Sequence, residues 1–342
     1  MFIHGIGNKQ PGNSLTLLYN LSQELGFDEW SQEQKEIKIT NTFDEETPAN
    51  LKIIKLSSPK YEKDITFYEF VWSDIAQKHK TVLEFDDALD IKKQRAELNG
   101  TIKHFINTAG VDPLVYLGAG RNEILESTVQ SMCIMMKYDW TDIKSDTEYD
   151  CFDKSYVSKL NEDKYVLITH SLGSKIAIDA LQYSAEILSS DYDNENRTQI
   201  QETEFDIFML SNQLPLLQIG REKPEVAGQY DYYCRPDGKN YSKRAIAKTE
   251  IYAFSDPNDL LSYSIPNTFK DKYIDSRICP VISNININVA EIRNPLGLMA
   301  VANPLEAHTQ YDEDERVISI LANGYNSDIV KESCNIIKLI KE

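Results

Sequence analysis

Short apolar runs alternate along the chain with longer stretches whose apolar residues recur every three or four positions. The runs are rich in Ile, Val, Phe and Tyr, which is typical of buried strands, and they occupy Phe2–His4, Leu51–Leu56, Ile65–Trp72, Tyr165–Thr169, Phe205–Leu210, Thr249–Phe254 and Ile285–Ile292. The helical pattern occupies Leu15–Leu25, Lys175–Leu188, Glu313–Leu321 and Asp328–Ile340. This alternation predicts an α/β fold with a mainly parallel, doubly wound sheet.

Residues 76–163 depart from simple alternation. The pattern there predicts three helices, Gln77–Asn99, Thr101–Asn107 and Asn122–Lys137, followed by an acidic loop, Asp139–Asp153. We interpret this block as a helical insertion on the strand tips of a single domain spanning residues 1–342, where it could act as a lid. The apolar segment Met132–Met136 of this block could either pack in the core or form a flexible lining for acyl chains.

The composition of the chain limits the kinds of binding partner and the cellular compartment that we expect. The 342 residues carry 36 basic and 54 acidic side chains, a net charge of −18, which argues against nucleic acid as a partner and allows at most transient contact with a membrane surface. The sequence shows no signal peptide and no long apolar run. We therefore expect a cytoplasmic protein, unless a non-classical secretion system exports it. Five cysteines without CxxC spacing predict reduced thiols. The sequence holds no metal or cofactor motif, and the acidic loop is interpreted as a solvated surface.

The stretch Tyr165–Lys175 carries the strongest chemical signal. An apolar strand runs into Thr169-His-Ser-Leu-Gly173, and an amphipathic helix begins at once. This layout is typical of a nucleophile elbow, in which a sharp turn lifts Ser171 above the sheet. Thr169 stands where the usual motif has Gly, so an ordinary strand–turn–helix junction is the alternative.

A second Gly-rich turn follows the first predicted strand, in His4-Gly-Ile-Gly7. Free backbone amides in such a turn can bind a developing oxyanion together with the amide that follows the nucleophile. The candidate donors are therefore the N–H groups of Ile6 and Leu172.

A serine nucleophile also needs a histidine base, and that histidine needs a carboxylate. The loop after the strand ending near Phe254 offers Asp256 and Asp259, of which we favour Asp259, because Leu260 and Leu261 can anchor its backbone by burial. His308 is the one histidine that follows the acid loop, whereas His170 is expected to point away from Ser171.

The ordered set Ser171, Asp259 and His308, together with the His-Gly-x-Gly turn, resembles the lipase-like serine esterases of the α/β-hydrolase superfamily. The resemblance extends over most of the chain and implies an α/β-hydrolase fold without a cofactor. The chain begins at the oxyanion strand, where the family has an earlier hairpin, so a shortened sheet is expected.

We expect a serine hydrolase that cleaves carboxylic esters, with lipids as the favoured substrates, through an acyl-enzyme on Ser171. A non-catalytic binding module of the same fold is the alternative, as is an acyltransferase or thioesterase with the same triad. No obligate protein partner can be inferred.

Overall fold

The computed structural model describes residues 1–27, 30–58, 63–88, 93–145, 147, 149, 163–191, 200–294, 299–325 and 338–340. The strands within these residues are β1 (Phe2–Ile3), β2 (Trp30–Ile39), β3 (Ala49–Ser58), β4 (Lys63–Val71), β5 (Tyr165–His170), β6 (Glu204–Leu210), β7 (Lys248–Ser255), β8 (Pro280–Asn286) and β9 (Lys338–Ile340). The α-helices are α1 (Leu15–Glu24), α2 (Ser73–Ala88), α3 (Glu97–Phe105), α4 (Asp112–Leu117), α5 (Arg121–Lys137), α6 (Gly173–Asp191), α7 (Leu214–Leu217), α8 (Tyr230–Cys234), α9 (Asn267–Tyr273), α10 (Pro304–Thr309) and α11 (Glu315–Asn323). One π-helical turn, Ile106–Gly110, links α3 to α4.

The described strands form one mostly parallel sheet in the order β2-β3-β4-β1-β5-β6-β7-β8-β9. The six strands from β4 to β8 in this order are mutually parallel, whereas β2, β3 and β9 add antiparallel pairings at the two edges. The predicted α/β class with a mainly parallel sheet is thus confirmed.

Helices cover both faces of the sheet, as a doubly wound architecture requires. Side chains on alternate strand positions separate into two cores: Leu167 packs on one face with α5 and α6, and Ile168 on the other with α1 and α11. This alternation explains why the central strands are apolar on both sides and why their sequences read as continuous apolar runs.

The block 76–163 divides into two parts. Helix α5 belongs to the core layer, packing on α6 and on the sheet, with Ile124 and Met132 buried. Helices α2 and α4 are bonded to the loop after β1, and the three helices α2 to α4 leave several apolar side chains exposed. One helix was predicted over Gln77–Asn99, but α2 ends at Ala88 and α3 begins at Glu97. Residues 146, 148 and 150–153 of the acidic loop lie outside the described residues.

The expected shortening of the sheet is wrong. After β1 the chain forms β2 and β3, which extend the sheet beyond β4 as antiparallel strands. The sequence analysis missed β2 because most of its residues are polar, as suits an edge strand. The predicted strand Ile285–Ile292 begins earlier, at Pro280, and ends at Asn286; Ile287 beyond it is still buried, which prolonged the apolar pattern.

The predicted terminal helix Asp328–Ile340 also requires correction. Residues 338–340 form β9 against β8, and the remainder of that prediction lies outside the described residues. So few apolar positions fit a strand as well as a helix, and the pairing of residues 338–340 with β8 decides between them.

The prediction of reduced thiols is wrong for the described cysteines. Cys234 at the end of α8 and Cys279 before β8 form a disulfide with their Cα atoms 5.4 Å apart, and Cys133 is also disulfide-bonded. Tertiary packing brings together two residues that lie 45 positions apart, a separation that gives no sequence signature. Within the described part of the chain, the structure contains no helix with the length and apolar character needed to cross a membrane.

Candidate active site

Ser171 lies in a sharp turn between β5 and α6. Its φ of 55° is left-handed, which is uncommon for a residue with a side chain, and its amide donates to the carbonyl of Leu210 at 2.9 Å. A methyl group on Gly173 would lie 2.3 Å from the carbonyl oxygen of Ile3, so this position requires glycine. Thr169, by contrast, remains within β5, paired with β1 and β6 and fully buried. The strained turn therefore forms with Thr in place of the usual Gly.

His308 joins Ser171 to Asp259. The Nε2 atom of His308 lies 3.1 Å from Oγ of Ser171, and its Nδ1 atom lies 3.0 and 3.1 Å from the two carboxylate oxygens of Asp259. All three residues are buried. The structure thus brings together the three side chains that the sequence analysis selected from loops after β5, β7 and β8.

The second acidic candidate, Asp256, has a different role. Its Oδ2 accepts the backbone amides of Val289 and Ala290, and its Oδ1 accepts that of Asn258. These bonds hold the loop after β7 to the loop after β8, so Asp256 is a structural residue and Asp259 faces the histidine.

The electrostatics of Asp259 favour the ionised form. Burial disfavours the charge, but hydrogen bonds from His308 and Ser211 outweigh that cost, so the pKa of the Asp259 carboxyl lies below its ordinary value. An ionised carboxylate beside Nδ1 stabilises the tautomer in which Nε2 can accept a proton.

Ser211 is a site residue that the sequence analysis did not select. It follows β6, is fully buried, and has a left-handed φ of 51°. Its Oγ lies 2.7 Å from Oδ2 of Asp259 and 2.8 Å from Nδ1 of His308. A serine after a strand is common, and the left-handed conformation of Ser211 cannot be recognised from its residue type. The sequence analysis therefore had no local signal that identified Ser211.

His170 contacts His308, which the sequence analysis did not predict. Its ring lies edge-on to that of His308 with centroids 5.2 Å apart, and its Nε2 is 2.8 Å from the backbone carbonyl of His308. Burial, together with the nearby His308, lowers the pKa of His170 to about 4, so Nε2 donates as a neutral imidazole. His170 thereby ties the elbow to the segment that carries the base.

The loop after β1 approaches the nucleophile closely. A methyl group on Gly5 would lie 2.7 Å from Cβ of Ser171, and the amide of Gly7 is bound at 2.6 Å by the Asp112 carboxylate. His4 stacks on Trp72, and its Nε2 accepts the backbone amide of Trp72 at 3.2 Å. The proton therefore resides on Nδ1, which donates to the carbonyl of Gly5 at 2.7 Å.

This bond sets the direction of a candidate oxyanion donor. The carbonyl of Gly5 and the N–H of Ile6 belong to one planar peptide unit and point in opposite directions, so His4 orients the amide of Ile6. The other candidate, the amide of Leu172, precedes the first turn of α6 and has no intrahelical acceptor.

Ser171 itself is fully buried in this conformation. A cavity of about 560 Å³ lies elsewhere, along α6, and is lined mainly by polar side chains such as Arg121, Lys175 and Asp179. Ser171, His308 and Asp259 are therefore in contact with one another, and Ser171 is covered.

Comparison with known proteins leaves the site to be interpreted from its own geometry. No protein-family model matches this chain. No curated protein shows significant similarity to it, and no solved structure does either.

Proposed function

We propose that this protein is a serine hydrolase of α/β-hydrolase type that cleaves carboxylic esters. The observation that carries the proposal is the continuous chain of contacts from Ser171 Oγ through His308 to Asp259, with the serine held in a left-handed turn. Buried histidines are common, but a histidine bridging a strained serine and an ionised carboxylate is the arrangement that activates a nucleophile.

In the proposed reaction Ser171 Oγ attacks the ester carbonyl carbon while its proton moves to Nε2 of His308. The carbonyl oxygen gains the negative charge, which the amides of Ile6 and Leu172 stabilise. Collapse of the intermediate breaks the bond to the alcohol, and His308 returns the proton to that leaving oxygen. A water molecule then attacks the acyl-enzyme by the same route and releases the acid.

Apolar side chains around the triad loops favour an apolar ester, such as a lipid, as the substrate. Leu260 directly follows Asp259 and is exposed, as is Leu261, so the burial that the sequence analysis expected of them is wrong. Leu305 precedes His308 by one helical turn and is also well exposed. Met299, in the segment that leads into α10, is 69% exposed. We call Leu260, Met299 and Leu305 together the apolar rim. A lipid or a long acyl chain bound at the site would cover this rim.

Helices α2 to α4 are the proposed lid. Asp112 of α4 and Ser73 of α2 both bind the loop after β1, which places these helices beside the oxyanion donors. The α3 helix turns an apolar stripe to solvent, formed by Leu98, Ile102 and Phe105. Since Ser171 is fully covered, a substrate can reach it only after some covering element is displaced.

Covalent labelling tests the proposal. A fluorophosphonate should add one adduct to the wild type, detected by intact mass, and none to Ser171→Ala. His308→Ala should label far more slowly. Ser184→Ala is the matched control, since Ser184 lies on α6 with its hydroxyl on the carbonyl of Ala180 and should label like wild type.

Absence of an adduct on folded protein, repeated after Glu123→Ala removes the bonds of α5 to Lys78 and His79 of α2, would contradict the hydrolase and favour the binding module. Adduct formation without ester turnover would instead favour an acyltransferase or thioesterase, because the acyl-enzyme step is common to all three.

A further inference from the structure

We infer that the cavity along α6 is a binding site for a phosphoryl group, carried either by a small phosphate ester or by free phosphate. This cavity of about 560 Å³ lies between α5, α6 and the loop after α7, and we call it the α6 cavity. Three cationic side chains line it, those of Arg121, Lys175 and Arg221. The triad residues do not line it, so the inference is independent of the proposed hydrolase function.

Among the side chains that line the α6 cavity, one carboxylate is buried, that of Asp179. Its Oδ1 accepts the Lys175 ammonium at 2.5 Å. Its Oδ2 accepts the Tyr116 hydroxyl at 2.9 Å and lies 3.3 Å from a terminal nitrogen of Arg121. Three donors of the protein therefore already occupy the Asp179 carboxylate.

Arg221 adds a positive charge that no carboxylate of the described residues pairs. Its Nη1 donates to the backbone carbonyl of Leu117, at the end of α4, at 2.9 Å. Three further charged residues line the cavity, but they are exposed and solvent screens their charges: Glu186, Glu222 and Lys223. The less exposed part of the α6 cavity thus holds three cationic side chains against one carboxylate.

The buried cations also have hydrogen-bonding capacity that the described residues do not use. The Lys175 side chain is 5% exposed, and its ammonium has three N–H donors but only Asp179 as an acceptor within the described part of the chain. The Nε atom of Arg121 is buried and likewise lacks an acceptor there. Buried donors without acceptors cost free energy, and an oxyanion in the cavity would supply the missing oxygens to Lys175.

The electrostatics of Lys175 agree with this charge balance. Burial lowers the pKa of the Lys175 ammonium in spite of its bond to Asp179, and the positive charges of Arg121 and Arg221 lower it further. An anion bound among these three side chains would stabilise the charged ammonium and raise its pKa. The cavity is therefore electrostatically complementary to an anion.

The number and kind of the cations favour a phosphoryl group over a carboxylate. Guanidinium groups bind phosphoryl oxygens in pairs, and an ammonium adds a compact point charge. A phosphoryl dianion matches the excess of two positive charges, whereas a carboxylate carries one charge on two oxygens. The volume lies within the range of about 300–1,000 Å³ that is typical of small-molecule sites, so an organic group fits beside the phosphoryl group. Tyr183 and Tyr273 line the cavity and offer contacts to that group.

Isothermal titration calorimetry with inorganic phosphate and with glycerol phosphate tests the site, at an ionic strength held constant with sodium chloride. We expect wild type to bind both probes saturably. Arg221→Gln should raise Kd at least about 10-fold, because charge-assisted hydrogen bonds to the phosphoryl oxygens are lost. Arg293→Gln is the matched control, since Arg293 pairs with Glu291 on the surface and does not line the cavity, and it should leave Kd unchanged.

The probes also identify the source of the phosphoryl group. Tighter binding of glycerol phosphate than of inorganic phosphate would assign the site to a phosphate ester, whereas equal affinities would assign it to free phosphate. Phosphorus NMR gives a second readout, in which wild type should broaden the resonance of the probe and Arg221→Gln should not. If Arg221→Gln fails to fold, Arg121→Gln is the second variant, since the Arg121 side chain is 30% exposed.

Absence of saturable binding by wild type would overturn the site, as would a Kd that is unchanged in both Arg221→Gln and Arg121→Gln. Acetate is the carboxylate probe, and acetate binding as tight as that of phosphate would overturn the assignment to a phosphoryl group. Neither measurement involves Ser171, so a failure of this inference and a failure of the hydrolase proposal are distinguished by fluorophosphonate labelling.

Discussion

The imidazole of His308 lies between two left-handed serines, Ser171 at Nε2 and Ser211 at Nδ1. The residues before them, His170 and Leu210, are paired in register on β5 and β6, so both serines leave neighbouring strands at the same level. Parallel strands end at a common edge, and two equivalent sharp turns there place both hydroxyls within reach of one ring.

Replacement of the two candidate acids separates catalysis from structure. Asp259→Asn should lower kcat by about 10⁴-fold, because an amide no longer enforces the Nδ1–H tautomer. Asp256→Asn should leave kcat within a few-fold and lower the free energy of unfolding by about 1–3 kcal/mol, because the bonds to Val289 and Ala290 weaken. Ester assays and urea unfolding measure the two effects, and the reverse pattern would make Asp256 the triad acid.

The elbow glycine can be tested against a glycine of the same chain. Gly173→Ala places a methyl group 2.3 Å from the carbonyl of Ile3, so we expect a loss of about 3 kcal/mol or more in unfolding free energy and loss of labelling. Gly100→Ala in α3 meets no atom within 4 Å and should stabilise by up to about 1 kcal/mol. Equal effects of the two substitutions in urea titrations would refute the crowding argument.

Two histidines whose pKa values lie below the ordinary range make stability depend on pH. Burial lowers the pKa of His4 to about 3, and burial with the neighbouring His308 lowers that of His170 to about 4. The unfolded chain binds a proton at each site below about pH 6.5 and the folded chain does not, so stability falls as pH drops from 6.5 towards 4.

Each histidine contributes a slope of at most about 1.4 kcal/mol per pH unit. Urea unfolding at pH 7, 6 and 5 measures the fall, and His170→Gln should make it shallower. A slope unchanged in that variant would show that His170 titrates normally in the folded protein.

Loss of the disulfide should destabilise the fold. Cys234 and Cys279 close a loop across 45 residues, for which chain entropy alone gives roughly 4 kcal/mol, and 2–4 kcal/mol is typical. We expect Cys234→Ala/Cys279→Ala to lower the Tm and to abolish part of the sensitivity of wild type to dithiothreitol. A double variant as stable as oxidised wild type would show that the pairing adds nothing to folding.

The apolar rim predicts a preference for longer acyl chains. Activity on p-nitrophenyl esters should rise from acetyl to octanoyl, and Leu305→Ser should reduce kcat/KM for the octanoyl ester about 10-fold with little effect on the acetyl ester. Tyr232→Ser removes an exposed aromatic ring from α8, which packs on Ser276–Ile278 before the start of β8, and serves as the control. A sharp preference for acetyl would count against a lipid substrate.

Local pattern in the sequence was sufficient for the α/β class, for most central strands and for the selection of Ser171 and His308, and it limited the acid to Asp256 and Asp259. The reason is that buried strands, the glycine required at position 173 and the order of loops along a parallel sheet can be recognised from the type and order of the residues. The same pattern could not separate a strand from a helix at Lys338–Ile340, nor find the polar edge strand β2, since pairing with a neighbour makes those segments strands.

Tertiary structure alone decided the rest. Asp256 and Asp259 lie on one turn with similar local sequence, and only the positions of Val289 and His308 give them different partners. The Cys234–Cys279 bond and the contact of Ser211 with His308 likewise join residues 45 and 97 positions apart. Such contacts depend on which strand ends are neighbours in the sheet, and that order is set by the packing of the whole chain.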